Sequence, residues 1–181
     1  MRFSLLGVFC AAIVSCNNDQ LPYVTIETEK GNIIIELYPD AAPTTVENFA
    51  RLIESGYYDG VIFHRHVPVF VIQGGDPQGT GSGGPGWTIP GEFQDPELRD
   101  KMPVHEKGVV AMARTQNPDS AGSQFYICIS SDPTPYAHLN GSYTTFGEVI
   151  EGMDVVDALR ERDAMNKVTI EITQSHRSIS N

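Results

Sequence analysis

Phe63-His64-Arg65-His66-Val67-Pro68-Val69-Phe70-Val71-Ile72-Gln73-Gly74-Gly75-Asp76 sets one arginine and one glutamine among β-branched and aromatic residues, and the run ends at a double glycine. Such residues favour extended backbone, while Pro68, which lacks an N–H donor, confines the ladder around it to an edge, bulge or bend. The stretch therefore reads as a strand pair with a kink. Alternation puts Arg65 on the face opposite His64 and His66; on the second arm it groups Val71 with Gln73, and Phe70 with Ile72. In isolation, Arg65 and Gln73 could be no more than surface residues of an amphipathic strand.

The flanking sequence supplies the rest of a sheet. Residues 23–28 and 32–37 alternate around Lys30-Gly31 as a hairpin. A helix is expected next: Thr44 and Glu47 fit a capping box, Val46, Phe49, Ala50 and Ile53 form an apolar stripe, and Gly56 supplies a stop. Strands recur at residues 62–67, 70–73, 109–113, 125–129, 144–150 and 168–174. A second short helix is expected over residues 153–160, with Val155, Val156 and Leu159 inward. Many short strands and two helices suggest a closed antiparallel barrel with helix-covered ends, because closure removes exposed edges. Composition alone does not separate a barrel from a sandwich.

With 181 residues, 40% of them hydrophobic, 17 Gly and 12 Pro, the chain suits one turn-rich domain with a substantial core. The formal net charge of -11 argues against nucleic-acid binding, which needs a basic surface. Gly79, Gly81 and Gly84 spell a G-x-G-x-x-G, yet Pro85, Gly86 and Pro90 interrupt any following helix, so the stretch reads as a loop beside a groove. His64-x-His66 lacks a third ligand nearby, and no metal site is expected. Neither a Gly-x-Ser-x-Gly elbow nor a Cys/His nucleophile pair is evident. Cys128, in the apolar residues 125–129, reads as a buried structural thiol.

The first residues differ in kind. Arg2 precedes the apolar run 3–14, too short to span a bilayer but fitting a secretory h-region. Ile13-Val14-Ser15-Cys16 resembles a bacterial lipobox, in which Cys16 is acylated after removal of residues 1–15. Asn17 after the cysteine, where Asp would retain the protein at the inner membrane, points to the periplasmic face of the outer membrane. The expected organisation is a signal peptide at 1–15, a tether at 16–21, a globular domain at 22–175 and a tail at 176–181. Removal of Arg2 would leave 11 Lys and Arg against 23 Asp and Glu.

Phe63-His64-Arg65, Phe70-Val71-Ile72-Gln73-Gly74-Gly75-Asp76, Ala111-Met112-Ala113-Arg114, Gly122-Ser123-Gln124-Phe125-Tyr126-Ile127 and Leu139-Asn140-Gly141 with Phe146-Gly147 together resemble the cyclophilin-type peptidyl-prolyl cis-trans isomerases, in order and spacing over residues 23–173. The resemblance implies a mainly β fold, an eight-stranded antiparallel barrel capped by two α-helices, with the groove on its outer face. It implies no cofactor, and it makes proline-containing peptides and unfolded proteins the partners of a monomeric enzyme.

Position by position, the resemblance makes Arg65, Gln73 and Phe70 the catalytic set. It makes Val71, Tyr126 and Leu139, with Phe70, the wall of the proline pocket. Ala113, Arg114 and Gln124 would meet residues preceding proline, largely through backbone, and Gly84 would lie near an adjoining specificity pocket. His138 and Tyr143 would border the groove. The chain departs from the family in Val71 for methionine, Tyr126 for phenylalanine, Arg114 for asparagine and Tyr143 for histidine. His138 stands where many members carry tryptophan. Val71 and Tyr126 keep the pocket apolar while shortening one wall and adding a hydroxyl; the Arg114 side chain is expected to attract acidic peptides.

Overall fold

A computed structural model describes residues 21–171. The leader, Cys16, most of the tether, and the C-terminal tail lie outside the described residues.

Eight strands form one sheet: β1 (Tyr23–Thr28), β2 (Gly31–Leu37), β3 (Arg65–Val67), β4 (Val71–Gly74), β5 (Val109–Met112), β6 (Phe125–Cys128), β7 (Thr145–Glu151) and β8 (Lys167–Glu171). Their order is β3-β4-β6-β5-β7-β2-β1-β8, and every pair is antiparallel. The expected hairpin is present, with Thr28 opposite Gly31 and only Glu29 and Lys30 between them. Gly31 takes φ of 132°, which a side chain would resist.

The sheet curls around a core in which Val24, Ile26, Ile33, Ile35 and Leu37 alternate inward from β1 and β2 and meet Phe49, Phe63, Phe125 and Phe146. Its ladder has two ends, β3 and β8, in place of the expected closed ring of paired strands. The ends meet through their flanking residues. Ile62 and Ala164 form an isolated antiparallel bridge. Four backbone bonds of 2.7 to 2.9 Å accompany it: Gly60 N–H to Met165 O, Met165 N–H to Val61 O, Phe63 N–H to Asp163 O, and Arg162 N–H to Phe63 O. Residues 62 and 63, expected as strand, are spent on this seam, while His64 N–H donates to Gln73 O at 3.0 Å outside the ladder, so β3 keeps only three residues.

Among the described residues three α-helices accompany the sheet: α1 (Pro43–Glu54), α2 (Pro96–Arg99) and α3 (Met153–Ala158). The stripe of α1 is buried as expected, and Phe49 meets Phe125 and Phe146 edge-on at 5.4 and 5.1 Å. Burying such a ring stabilises by about 1.5–3 kcal/mol. The capping box is not formed. Pro43 opens the helix one residue before Thr44, Ala42 is the cap, and Glu47 pairs with Arg51 instead. Glu92 does the capping from 48 residues away, its carboxylate accepting from the Thr44 and Thr45 N–H groups at 2.7 and 3.0 Å and from the Thr45 hydroxyl at 2.6 Å. The one-turn α2 was not expected; the Asp95 side chain caps it and Pro96 fills its first position. Helix α3 stops at Ala158, two residues short of the expected end, because Leu159 is extended and buried.

Strands β5 and β6 are buried on both faces. Val110, Met112, Phe125 and Ile127 enter the main core, while Ala111, Tyr126 and Cys128 join Val71, Tyr136 and Leu139 in a second apolar cluster outside the sheet. That outer cluster is where the candidate site lies.

Candidate active site

The β3–β4 hairpin sets Arg65 directly opposite Gln73. Antiparallel partners share a face, so both reach outward. Phe70 does not alternate with them as the sequence suggested. It is the last residue of a turn in which Val69 adopts φ of 60°, and this twist brings Phe70 onto the same side as Val71. There Phe70 stacks on Tyr136 at 5.5 Å, and the Tyr136 hydroxyl donates to the Phe70 carbonyl at 2.6 Å while accepting from Ser130 N–H.

Arg65, Phe70, Val71, Gln73, Ala113, Arg114, Tyr126, His138, Leu139 and Tyr143 surround a cavity of about 240 Å³. Val71, Tyr126 and Leu139 are almost wholly buried and form its apolar floor. Beside it lies a wider depression of about 560 Å³, lined among others by Gly84, Trp87 and Gln124 and sharing Gln73, Ala113 and Arg114 with the first. The twelve residues nominated by sequence therefore line two adjoining cavities. Cys16 lies outside the described residues.

A polar chain crosses the boundary between the cavities. Arg65 Nη1 donates to Gln73 Oε1 at 3.3 Å, Gln73 Nε2 donates to Gln124 Oε1 at 2.9 Å, and Gln124 Nε2 donates to the carbonyls of Gly81 and Gly83 at 3.1 and 2.9 Å. A guanidinium only donates and a carbonyl only accepts, so both amides have a single self-consistent orientation. The glycine loop at the far end is organised by Asp76. Its carboxylate accepts from the N–H groups of Gln78, Thr80, Gly81 and Gly83 at 2.6 to 3.1 Å.

Burial alone would raise the Asp76 pKa, but those four donors outweigh it and hold the group at about 2. A depressed carboxylate pKa supplies stability in full above the ordinary value of 3.8 and loses it as pH falls toward 2. The difference corresponds to about 2 kcal/mol. In denaturant titrations across this window, Asp76→Asn should show a flatter acid decline than the parent; identical declines would show that Asp76 is not the group.

Three features differ from expectation or were not foreseen. The Arg114 side chain does not reach for ligand: Nη2 donates to Ser142 O at 2.7 Å, Nη1 to Thr115 O at 2.8 Å, and the guanidinium lies over Tyr143 at 4.4 Å and Phe93 at 5.1 Å. Its donors brace the groove and are not free for acidic peptides. The Tyr126 hydroxyl, expected to add polarity to the pocket wall, points away from it to His105 Nε2 at 2.8 Å. Finally, His64 turns under the glycine loop beside Gly81, both ring nitrogens buried without a partner among the described residues, and burial lowers its pKa. Cys128 is buried as expected, and burial pushes its thiol up to about 12.

The family profile described as "Cyclophilin type peptidyl-prolyl cis-trans isomerase/CLD" matches residues 23–177. The chain is 46% identical over 144 residues to peptidyl-prolyl cis-trans isomerase B of Bacillus subtilis, covering 79% of this chain and 94% of that protein. It is 45% identical over 138 residues to peptidyl-prolyl cis-trans isomerase CYP18-1 of Arabidopsis thaliana, covering 76% and 82%. Among solved structures, a cyclophilin type peptidyl-prolyl cis-trans isomerase of Cryptosporidium parvum superposes with a TM-score of 0.72 at 32% identity, covering 83% of this chain and 98% of that one. The same parasite protein in the presence of the dipeptide Ala-Pro gives a TM-score of 0.68 at 33% identity, covering 84% and 99%.

Proposed function

Since the chain belongs to the cyclophilin-type peptidyl-prolyl cis-trans isomerases and is an enzyme of that activity, we propose that it acts on X-Pro bonds of proteins folding in the cell envelope, through arginine-assisted loss of amide conjugation. The observation that carries this reading is the Arg65–Gln73 pair at the rim of an apolar cavity.

An X-Pro bond resists rotation because the nitrogen lone pair is delocalised into the carbonyl; for a peptide bond the barrier is about 18–20 kcal/mol. A donor aimed at that nitrogen localises the lone pair as the amide twists. Arg65 is always charged and Gln73 holds it with a neutral oxygen, which steadies the side chain without cancelling its charge. Phe70, Val71, Tyr126 and Leu139 grip the proline ring while the acyl side turns. The preceding residues lie along Ala113, Arg114 and Gln124, with Gly84 beside the wider cavity, and His138 and Tyr143 border the groove. No proton is transferred and no covalent intermediate forms.

For an acceleration of about 10⁵-fold the site must supply roughly 7 kcal/mol. One charged hydrogen bond contributes about 1.5–3 kcal/mol, so desolvation and orientation supply the rest. Replacing Arg65 in a prolyl-peptide assay tests the mechanism.

The envelope assignment rests on residues 1–21, where the apolar run and the lipobox-like Cys16 favour a lipid-anchored monomer at the periplasmic face of the outer membrane. Proline-containing peptides and unfolded envelope proteins are its substrates in this reading. Protein extracted from membranes should have a mass equal to the chain beginning at Cys16 plus acyl groups. An unmodified Cys16, or a chain beginning elsewhere, contradicts the anchor.

A further inference from the structure

His105 is 2% exposed and belongs to none of the cavity walls that hold the proline ring, yet it bonds the Tyr126 wall from behind and Asn140, the residue next to Leu139 in the chain. Its Nε2 lies 2.8 Å from the Tyr126 hydroxyl on β6, and its Nδ1 lies 2.9 Å from Asn140 Oδ1, beside Leu139. The backbone N–H of His105 donates to the same Asn140 oxygen at 2.8 Å, which fixes that atom as an acceptor. Nδ1 must then carry a proton. In the neutral ring Nε2 is an acceptor, and the Tyr126 hydroxyl donates to it.

We propose that His105 is a positioning residue for prolyl isomerisation, a neutral imidazole that ties the Tyr126 and Leu139 walls together and sets the shape of the proline pocket. Protonation of Nε2 reverses this bond: Nε2–H then donates to the Tyr126 oxygen, and the hydroxyl proton loses its only acceptor among the described residues. The ring lies stacked on Tyr126 with centroids 6.0 Å apart, leaving the phenol no other polar partner at that depth.

The surroundings oppose that protonation. The titratable and charged groups facing the pair are His138, whose charge disfavours a second cation, and around Tyr126 the side chains of Cys128, Tyr136, Tyr143 and Arg114. No carboxylate is among them. Burial lowers the His105 pKa below 6.5, while the bond to Asn140 works the other way. A lowered histidine pKa means that the neutral, pocket-shaping form prevails at pH 6.5 and above and is lost only as pH falls through the folded pKa, which lies below 6.5.

The inference rests on the groove being the active site, and the experiment separates the two. In a prolyl-peptide assay with folding followed by circular dichroism at each pH, the parent should hold constant kcat/KM above pH 6.5 and lose it below, through rising KM. His105→Phe strands the Tyr126 hydroxyl and should raise KM about threefold to tenfold with little change in kcat, the pattern of lost uniform binding. His105→Gln offers an amide oxygen to Tyr126 and never titrates, so it should hold KM near the parent value and lose the acid limb. An unchanged KM in His105→Phe, or an acid limb that persists in His105→Gln, overturns the proposal. Arg65→Ala in the same assay reports on the groove itself: an unchanged rate there would unseat the site, whereas its loss beside an indifferent His105→Phe would unseat only the role of His105.

Discussion

Arg65→Ala should lower kcat/KM on an Xaa-Pro peptide by one to three orders of magnitude, about 1.4–4 kcal/mol of transition-state stabilisation. The loss should fall on kcat, because in the proposed mechanism the donor acts on a nitrogen that becomes a good acceptor only when the amide is twisted. KM should change little, since the apolar floor of Val71, Tyr126 and Leu139 is intact. Arg65 is exposed, and its side-chain bond is to Gln73 at 3.3 Å, so the fold should be undisturbed. Arg65→Lys should recover only part of the rate, for an ammonium cannot present the planar fork that spans Gln73 and substrate together. A variant within twofold of the parent would remove the arginine from the mechanism.

Gly75→Ala should cost about 2–5 kcal/mol of stability, combining about 1–2 kcal/mol for a left-handed backbone with a further 1–3 kcal/mol for overpacking. Gly75 has φ of 88°. A Cβ there would collide with the Ser123 carbonyl oxygen and come within 3.0 Å of the Gln124 Cα. Both obstacles are backbone, so neither can swing aside. Relief must come from parting the end of β4 from the start of β6, which stretches the 2.9 Å bond between Gln73 and Gln124 and loosens Arg65 in turn. Folded Gly75→Ala should therefore also turn over more slowly. Gly84 has open space around it and no left-handed backbone. Gly84→Ala should hold its denaturation midpoint within about 0.5 kcal/mol, and equal midpoints for the two variants would refute the steric account.

The parts of this molecule that local chemistry decides were readable in advance. The β1–β2 hairpin and the stripe of α1 follow from alternation, helical spacing and a glycine where the chain must turn, and the strand of Phe125 from its unbroken apolar run. The twelve nominated residues that line the two cavities came from the family resemblance carried by short blocks, whereas others, such as Trp87 in the wider cavity, were not nominated. What could not be read depends on partners far along the chain. Glu92 caps α1 across 48 residues, displacing a capping box that looked complete. Phe70 changes face because Val69 adopts a conformation that β-branched residues rarely take. The hydroxyl of Tyr126 finds His105 across 21 residues, and Arg114 finds Ser142 across 28. A histidine between Val104 and Glu106 carries no pattern that marks it.

The seam between residues 60–63 and 162–165 bears on the order in which the protein can come into being. The β3–β4 hairpin begins where the seam ends, and β1 finds its outer neighbour in β8, the last strand among the described residues. Both closures join segments far apart in sequence, so their entropic cost is met before the contacts repay it, and such non-local pairing is slow. Until Asp163 and Met165 are present, the Val61 carbonyl and the Phe63 N–H lack these partners. A chain that lacks residues 162–171 therefore presents an open strand edge at β1 and leaves residues 60–63 without their seam partners, just where the β3–β4 hairpin begins.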